Sequence, residues 1–237
     1  MSDYYIRQMP MEADYNRALP PSVILRQSLD CILEDIELQG CDRTVIEREV
    51  GAVWMISRMR FYQFSQVHPW DVLRYHTFPR VIENGRYIFY IEIFRGDEMV
   101  IQFDTVFIPV DEKRRKIVEV DVIEPFWKDP PRTAESKFLV RLDMDCEFKP
   151  GGKQTVRMSD CDTNHHLTSP GYLSLVCDEL GFWGGEERMM RFMQVDYVSE
   201  VLPGTEISFE TGRRGEMRLL RGHKPDGKLA FSAGCIF

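Results

Sequence analysis

Ser169-Pro170-Gly171-Tyr172-Leu173-Ser174-Leu175-Val176-Cys177-Asp178-Glu179-Leu180 holds the pattern on which the rest of the chain is arranged. Ser169 can serve as a helix N-cap, and Pro170 suits the first helical position, where its missing N–H forfeits no intrahelical bond. Leu173, Val176 and Leu180 recur at three- and four-residue steps and form one apolar face. Gly181 and Gly184-Gly185 offer places to end the helix. The flanks read as strands, rich in aromatic and β-branched residues. Phe138–Arg157 precedes the helix. Met189–Tyr197, Glu206–Thr211, Glu216–Arg221 and Leu229–Ile236 follow it, separated by Pro203-Gly204, Gly212–Gly215 and Pro225-Asp226-Gly227.

The same order stands upstream. After Pro20-Pro21-Ser22, the residues Leu25, Leu29, Ile32, Leu33 and Ile36 give a second helical face that stops near Gly40. Strands are expected at Ala52–Phe64, Val72–Phe78, Arg86–Phe94 and Met99–Val110, with hairpin turns at Asn84-Gly85 and Arg95-Gly96-Asp97. Between the halves, the prolines of Glu124-Pro125-Phe126-Trp127-Lys128-Asp129-Pro130-Pro131 disfavour regular structure and suit a linker. A single apolar helix beside a meandering antiparallel sheet buries its face when the sheet wraps around it. Two such units side by side can share one sheet and cover each other's edges. The expected fold is therefore α+β and duplicated, with units over residues 1–123 and 137–237 joined by a linker over 124–136.

Composition narrows the function classes. The 237 residues are 43% hydrophobic and 29% charged, enough apolar surface for an ordered core. No apolar run approaches the roughly 18 residues of a membrane span, and the N-terminus has no signal-peptide pattern; a cytoplasmic protein without a membrane role is expected. The formal charge of −8 argues against nucleic acid as a partner. The longest basic run, Lys113-Arg114-Arg115-Lys116, reads as a solvated turn. Six cysteines stand apart without a C-x-x-C pair and read as free thiols, buried or half-buried. No nucleotide, flavin or serine-hydrolase motif is present. Adjacent His165 and His166 do not make a zinc site, so neither cofactor nor metal is expected. His68, His76 and His223 read as structural.

Val156-Arg157-Met158-Ser159-Asp160-Cys161-Asp162-Thr163-Asn164-His165-His166-Leu167, directly ahead of the second helix, carries the chemistry. Asp162, Asn164 and His166 stand at alternate positions, and on an extended loop they would point the same way. They would also lie near a helix start, where unpaired N–H groups and the dipole favour developing negative charge. These are parts for acyl transfer to water. The same residue types are also common in turns, where their side chains bond the backbone.

This segment, followed by Tyr172-Leu173, resembles the V-R-x-S-D-x-D-x-N-x-H-V…Y-(I/L) signature of the acyl-acyl carrier protein thioesterases. Ala52-Val53-Trp54-Met55-Ile56-Ser57-Arg58-Met59 is similar to the family's W-V-L-S-R strand, and Pro69–Thr77 to its P-x-W-x-D-x-V-x-V-x-T run. Val195-Asp196-Tyr197-Val198-Ser199-Glu200 resembles its strand ending in Y-x-x-E. The resemblance covers nearly the whole chain and implies a tandem hotdog fold. It implies thioester hydrolysis by water, with Asp162, Asn164, His166 and Glu200 as the catalytic set. Glu200 would be the general base, although His166 remains an alternative. Asn164 and His166 would hold the carbonyl or the water, Asp162 would orient its neighbours, and amides near Pro170 and Gly171 would face the oxyanion.

Two departures stand out. Val201 occupies the position of a cysteine found in the plant enzymes, which excludes a covalent route there. His165 and Thr168-Ser169 replace the family's usual residues. Trp54 and Arg58 read as core and rim of the first sheet, Tyr172 as sheet packing and Trp183 as helix-end packing.

The implied partner is acyl carrier protein bearing a phosphopantetheine-linked acyl chain, the acyl chain lying mainly in the N-terminal half. An acidic carrier needs a local basic surface, for which Arg213, Arg214, Arg218 and Arg221 form one candidate and Lys113–Lys116 another. An acyl-CoA thioesterase on the same fold and a non-catalytic acyl-binding hotdog protein are the alternative readings. A monomer and a homodimer are both left open.

Overall fold

A computed structural model describes residues 2–14, 17–78, 81–83, 85–129, 132–133, 140–162, 164–182 and 189–237. Twelve strands run in chain order: β1 (Ser2–Arg7), β2 (Ala52–Gln63), β3 (Val72–Thr77), β4 (Val81–Glu83), β5 (Arg86–Arg95), β6 (Glu98–Asp111), β7 (Arg132–Thr133), β8 (Phe148–Thr155), β9 (Phe192–Tyr197), β10 (Glu206–Arg214), β11 (Met217–His223) and β12 (Leu229–Ile236). They make one sheet in the order β1-β3-β5-β6-β2-β9-β12-β11-β10-β8, with β4 beside β5 and β7 beside β4. The helices are α1 (Pro21–Leu38), α2 (Arg43–Val50), a single turn α3 (Val120–Ile123) and α4 (Ser169–Glu179).

The antiparallel pairing of β2 with β9 joins the two halves, Arg58 opposite Asp196 and Phe61 opposite Met193. This is the shared sheet of a tandem hotdog, the α+β fold expected from the repeated element order. One face carries Met59, Phe61, Tyr75, Phe103, Val195 and Phe231, all buried with the apolar faces of α1 and α4 in a single core. The two helices pack on each other beneath it. Pro21 opens α1, and Gly40, at φ 81°, follows its end. Of the apolar positions that marked α1, Leu25, Ile32 and Ile36 are buried. Leu29 is half-buried and Leu33 is 48% exposed, because these two face a groove and not the sheet.

The other face bears a polar strip across the seam. Residues directly opposite in antiparallel strands share a face, so Arg58 meets Asp196, and Arg60 meets Gln194 and Asp104. Arg58 Nε and Asp196 Oδ1 form an ion pair, each side chain 9% exposed. Residues 140–146 cross this strip as a strap. The Val140 carbonyl accepts from Gln194 Nε2 at 3.1 Å, and the Leu142 N–H donates to Asp196 Oδ2 at 3.2 Å.

That strap corrects the expectation of a strand over Phe138–Arg157. Ordered pairing begins only at Phe148, because the backbone before it bonds to side chains of the strip and not to a neighbouring strand. The start of the presumed linker is also packed. Trp127 is 4% exposed and lies against Trp54 and Tyr87, and Pro125 sits within a 3₁₀ turn over Glu124–Phe126. Helix α2 escaped the periodicity reading, although its ends are marked: Asp42 Oδ1 accepts from the Thr44 N–H at 2.7 Å, and Gly51 closes the helix at φ 69°. Asn84, the Gly184-Gly185 pair, Trp183 and residues 130–131 and 134–136 of the linker lie outside the described residues. None of the six cysteines is in a disulfide, and four of them are buried. Among the described residues no helix is long and apolar enough to cross a membrane.

Candidate active site

The segment carrying Asp162, Asn164 and His166 is a closed loop and not the extended strand that alternation suggested. Cys161 and Leu167 face each other as an antiparallel bridge. Within it the Asp162 N–H donates to the His166 carbonyl at 3.2 Å, and the His165 N–H to the Asp162 carbonyl at 3.0 Å. His165 adopts φ 63°, which reverses the chain. Asp162 holds the loop from inside: Oδ1 accepts from the Asn164 N–H at 2.8 Å and Oδ2 from Asn164 Nδ2 at 3.1 Å. The turn habit of Asp and Asn is thus part of the site's construction, not a rival to it. Thr163 lies outside the described residues.

His166 stands between two carboxylates, with Nδ1 3.8 Å from Asp162 Oδ1 and Nε2 3.5 Å from Glu200 Oε1. Both separations exceed a good hydrogen bond and permit charge interaction. Glu200 lies three residues beyond the end of β9, not on the strand. It is carried by a loop that the sheet pins: the Val198 and Ser199 N–H groups donate to the Ala230 carbonyl, and the Leu167 N–H to the Val201 carbonyl. Lys224 Nζ donates to the Glu200 carbonyl at 3.4 Å. Val201 itself is fully buried. The structure therefore brings all four side chains to one place.

It also brings one that the sequence reading set aside. Arg115, taken as part of a solvated basic turn, reaches across from the N-terminal half and pairs with Glu200 Oε1. No signal in the run Lys113–Lys116 separates Arg115 from its neighbours; its φ of 56° does.

The helix start differs by one residue from expectation. Thr168 is the N-cap of α4, its Oγ1 accepting from the Gly171 N–H at 3.0 Å, and Pro170 lies in the first turn. The Gly171 amide is therefore occupied, and an oxyanion would draw on the Asn164 side-chain amide, His166 and the dipole of α4. Gly171 is required by close approach, since a Cβ there would meet Leu167 Cδ1 at 2.7 Å and the Asp160 carbonyl at 3.2 Å. Tyr172 packs edge-on against Tyr197 and Phe231. Burial pushes its hydroxyl well above the ordinary tyrosine range, with the nearby Glu200 charge adding to the shift.

Two cavities meet at this cluster, each lined by Trp54, Arg115, Asp162, Asn164, His166 and Glu200. One, of about 700 Å³, runs beside Ile108, Val110, Ile117, Tyr197 and Lys224. The other, of about 1310 Å³, runs between α1, α2 and β2 past Leu29, Leu33, Ile36, Val45, Val53 and Phe107. Trp54 thus does more than fill core. Its Nε1 donates to the Cys41 carbonyl at 2.8 Å while its ring walls both cavities.

Cys161 adjoins the set but turns away, its Sγ 3.5 Å from the Arg157 carbonyl. Its thiol is pushed above the ordinary cysteine value by partial burial and by Asp160 and Asp162. At neutral pH it carries less thiolate than a free cysteine and is a poor nucleophile. Cys161→Ser is expected to keep turnover within about threefold, and iodoacetamide to label this thiol more slowly than glutathione. A tenfold loss in the serine variant, or an acyl group trapped on Cys161, would contradict this.

Residues 150–225 match the model of the acyl-ACP thioesterase C-terminal domain. No curated protein matches the chain in sequence. Among solved structures, an acyl-ACP thioesterase from Bacteroides thetaiotaomicron is similar over 100% of this chain and 97% of its own, with a TM-score of 0.83 and 17% identity. A 12:0-ACP thioesterase from Umbellularia californica is similar over 99% of this chain and 96% of its own, with a TM-score of 0.78 and 13% identity. At such identities the likeness is one of fold, and the sequence match in the C-terminal half carries the kinship. Sequence in that half and architecture over the full length agree: residues 150–225 carry an acyl-ACP thioesterase C-terminal domain within a tandem hotdog fold, which indicates a thioester hydrolase.

Proposed function

We propose that the protein hydrolyses fatty acyl-acyl carrier protein, releasing free fatty acid and the carrier thiol. The observation that carries this reading is the meeting of an apolar groove with the Asp162–Asn164–His166–Glu200 cluster. The groove between α1, α2 and β2 suits an acyl chain, and the cluster lies where its thioester end would stop. Glu200 takes a proton from water as the water oxygen bonds to the thioester carbon. Asn164 and His166 support the resulting oxyanion, and Asp162 keeps Asn164 in place. On collapse the C–S bond breaks, the sulfur leaves with the proton that Glu200 held, and the acid remains. In this reading residues 1–123 hold the acyl chain, residues 137–237 supply the catalytic set, and residues 124–136 join them.

The partner reading rests on charge. Arg214 pairs with Asp143, and Arg218 and Arg221 lie over the Phe237 and Phe148 rings, so these arginines already serve the fold. Lys113, Arg114 and Lys116 are exposed on the turn that carries Arg115 into the site, and they suit an acidic carrier arriving at the cavity mouth.

The decisive assay follows release of free fatty acid from matched acyl-carrier and acyl-CoA thioesters. The carrier substrate is expected to show a kcat/KM at least tenfold higher, and charge reversal at Lys113 and Arg114 is expected to remove most of that margin. Equal or better use of the CoA ester would shift the reading to an acyl-CoA thioesterase. Acyl binding without hydrolysis of either ester would leave an acyl-binding protein.

A further inference from the structure

The catalytic cluster comes from the C-terminal half, yet one charged side chain in it does not. Arg115 lies in the turn leaving β6, and that turn is tightly built. Asp111 Oδ1 accepts from the Lys113 N–H at 3.0 Å and from the Arg114 N–H at 2.6 Å. The Arg115 N–H donates to the Asp111 carbonyl at 2.8 Å, and the Asp111 N–H to the Lys116 carbonyl at 2.8 Å. The chain passes through φ 56° at Arg115, a left-handed conformation that a residue with a Cβ adopts only at a cost. The turn thereby aims the Arg115 guanidinium at Glu200, although Arg115 remains exposed like Lys113, Arg114 and Lys116.

The contact it makes is specific to one oxygen. Arg115 and His166 both approach Glu200 Oε1, which is closed to solvent and accepts no hydrogen bond, so the hold on it is one of charge. The Glu200 side chain as a whole is 28% exposed, so its accessible surface lies elsewhere on the group. A carboxylate whose one oxygen is buried and held by the Arg115 charge leaves the other oxygen to meet water.

We infer that Arg115 is a positioning residue: it anchors Glu200 through Oε1, so that Oε2 is the oxygen that accepts the proton of the attacking water. The inference rests on the general-base reading of Glu200 and adds to it a contribution from the N-terminal half, without which the site is incomplete. The Arg115 side chain is 52% exposed. An ion pair so exposed adds little to stability, so its removal tests the chemistry more than the fold. A small displacement of a base can cost as much as 10²-fold in rate.

Arg115→Met retains bulk without charge. It is expected to lower kcat by about 10–100-fold with KM within about threefold, as for a group acting mainly in the transition state. The melting temperature should move by no more than a few degrees. Arg115→Lys should recover part of the loss, and millimolar guanidinium added to Arg115→Ala should recover more than it does in Arg115→Met, where no space is left. In a Glu200→Gln background, Arg115→Met should cost less than about threefold further, because the two groups act as one unit. Normal kcat in Arg115→Met, a defect confined to KM, or a full multiplicative loss in the double variant would each overturn the role of Arg115. Normal turnover in Glu200→Gln alone would instead remove the general-base reading, and the two failures are distinct.

Discussion

Glu200→Gln is expected to lower turnover on an acyl-carrier thioester by about 10²–10⁴-fold, the usual contribution of a general base. Glutamine keeps the size of the side chain and an oxygen beside Arg115 and His166, but it cannot take a proton from water. The loss should therefore fall on kcat, with KM nearly unchanged. Single-turnover measurements on saturating substrate check this, after circular dichroism has shown the variant folded. His166→Ala and Asn164→Ala should each be severe through lost support of the oxyanion. Pairs of these changes should lose less than the product of the single losses, since the loop closed by Asp162 makes the groups one unit. Near-normal turnover in both Glu200→Gln and His166→Ala would mean that the chemistry lies elsewhere.

The second large effect concerns the seam between the halves and not the reaction. Asp196→Ala is expected to destabilise the protein by about 3–5 kcal/mol, because it leaves the Arg58 guanidinium buried and unpaired. It also removes the acceptor for the Leu142 N–H and loosens the strap at residues 140–146. Arg58→Met combined with Asp196→Leu is expected to lose less than Asp196→Ala alone, since it removes both charges and keeps the volume. Urea unfolding followed by far-ultraviolet circular dichroism measures both. A loss below about 1 kcal/mol in Asp196→Ala would show that the pair behaves as a surface ion pair, against its burial.

The division between what local sequence settles and what it leaves open runs through particular residues. Helices α1 and α4 were legible because their burial is periodic: Leu25, Ile32 and Ile36 on one, Leu173 and Val176 on the other. The runs that became β2, β3, β5, β6 and β12 were legible by their β-branched and aromatic content and the turns between them, and the duplicated order followed from them. The identity of Asp162, Asn164, His166 and Glu200 as a set came from motif resemblance, and their convergence is a matter of tertiary structure. Asp162 and Glu200 are 38 positions apart in the chain. They meet because β9, pinned between β2 and β12, delivers the loop carrying Glu200 to the mouth of α4. Alternation along an extended segment was the wrong physical reason for the grouping of the first three, since Asp162 folds that segment into a turn. The strap over residues 140–146 was unreadable because its hydrogen bonds go to side chains of distant strands, which leave no periodicity in its own sequence. Arg115 is the clearest case. Within Lys113-Arg114-Arg115-Lys116 four cations look alike, and composition alone places them all in water. A left-handed backbone at one of them, set by Asp111, turns that guanidinium onto Glu200 in the other half of the molecule. Charge is a property of the residue, but its partner is chosen by the sheet that brings β6 and β9 to either side of β2.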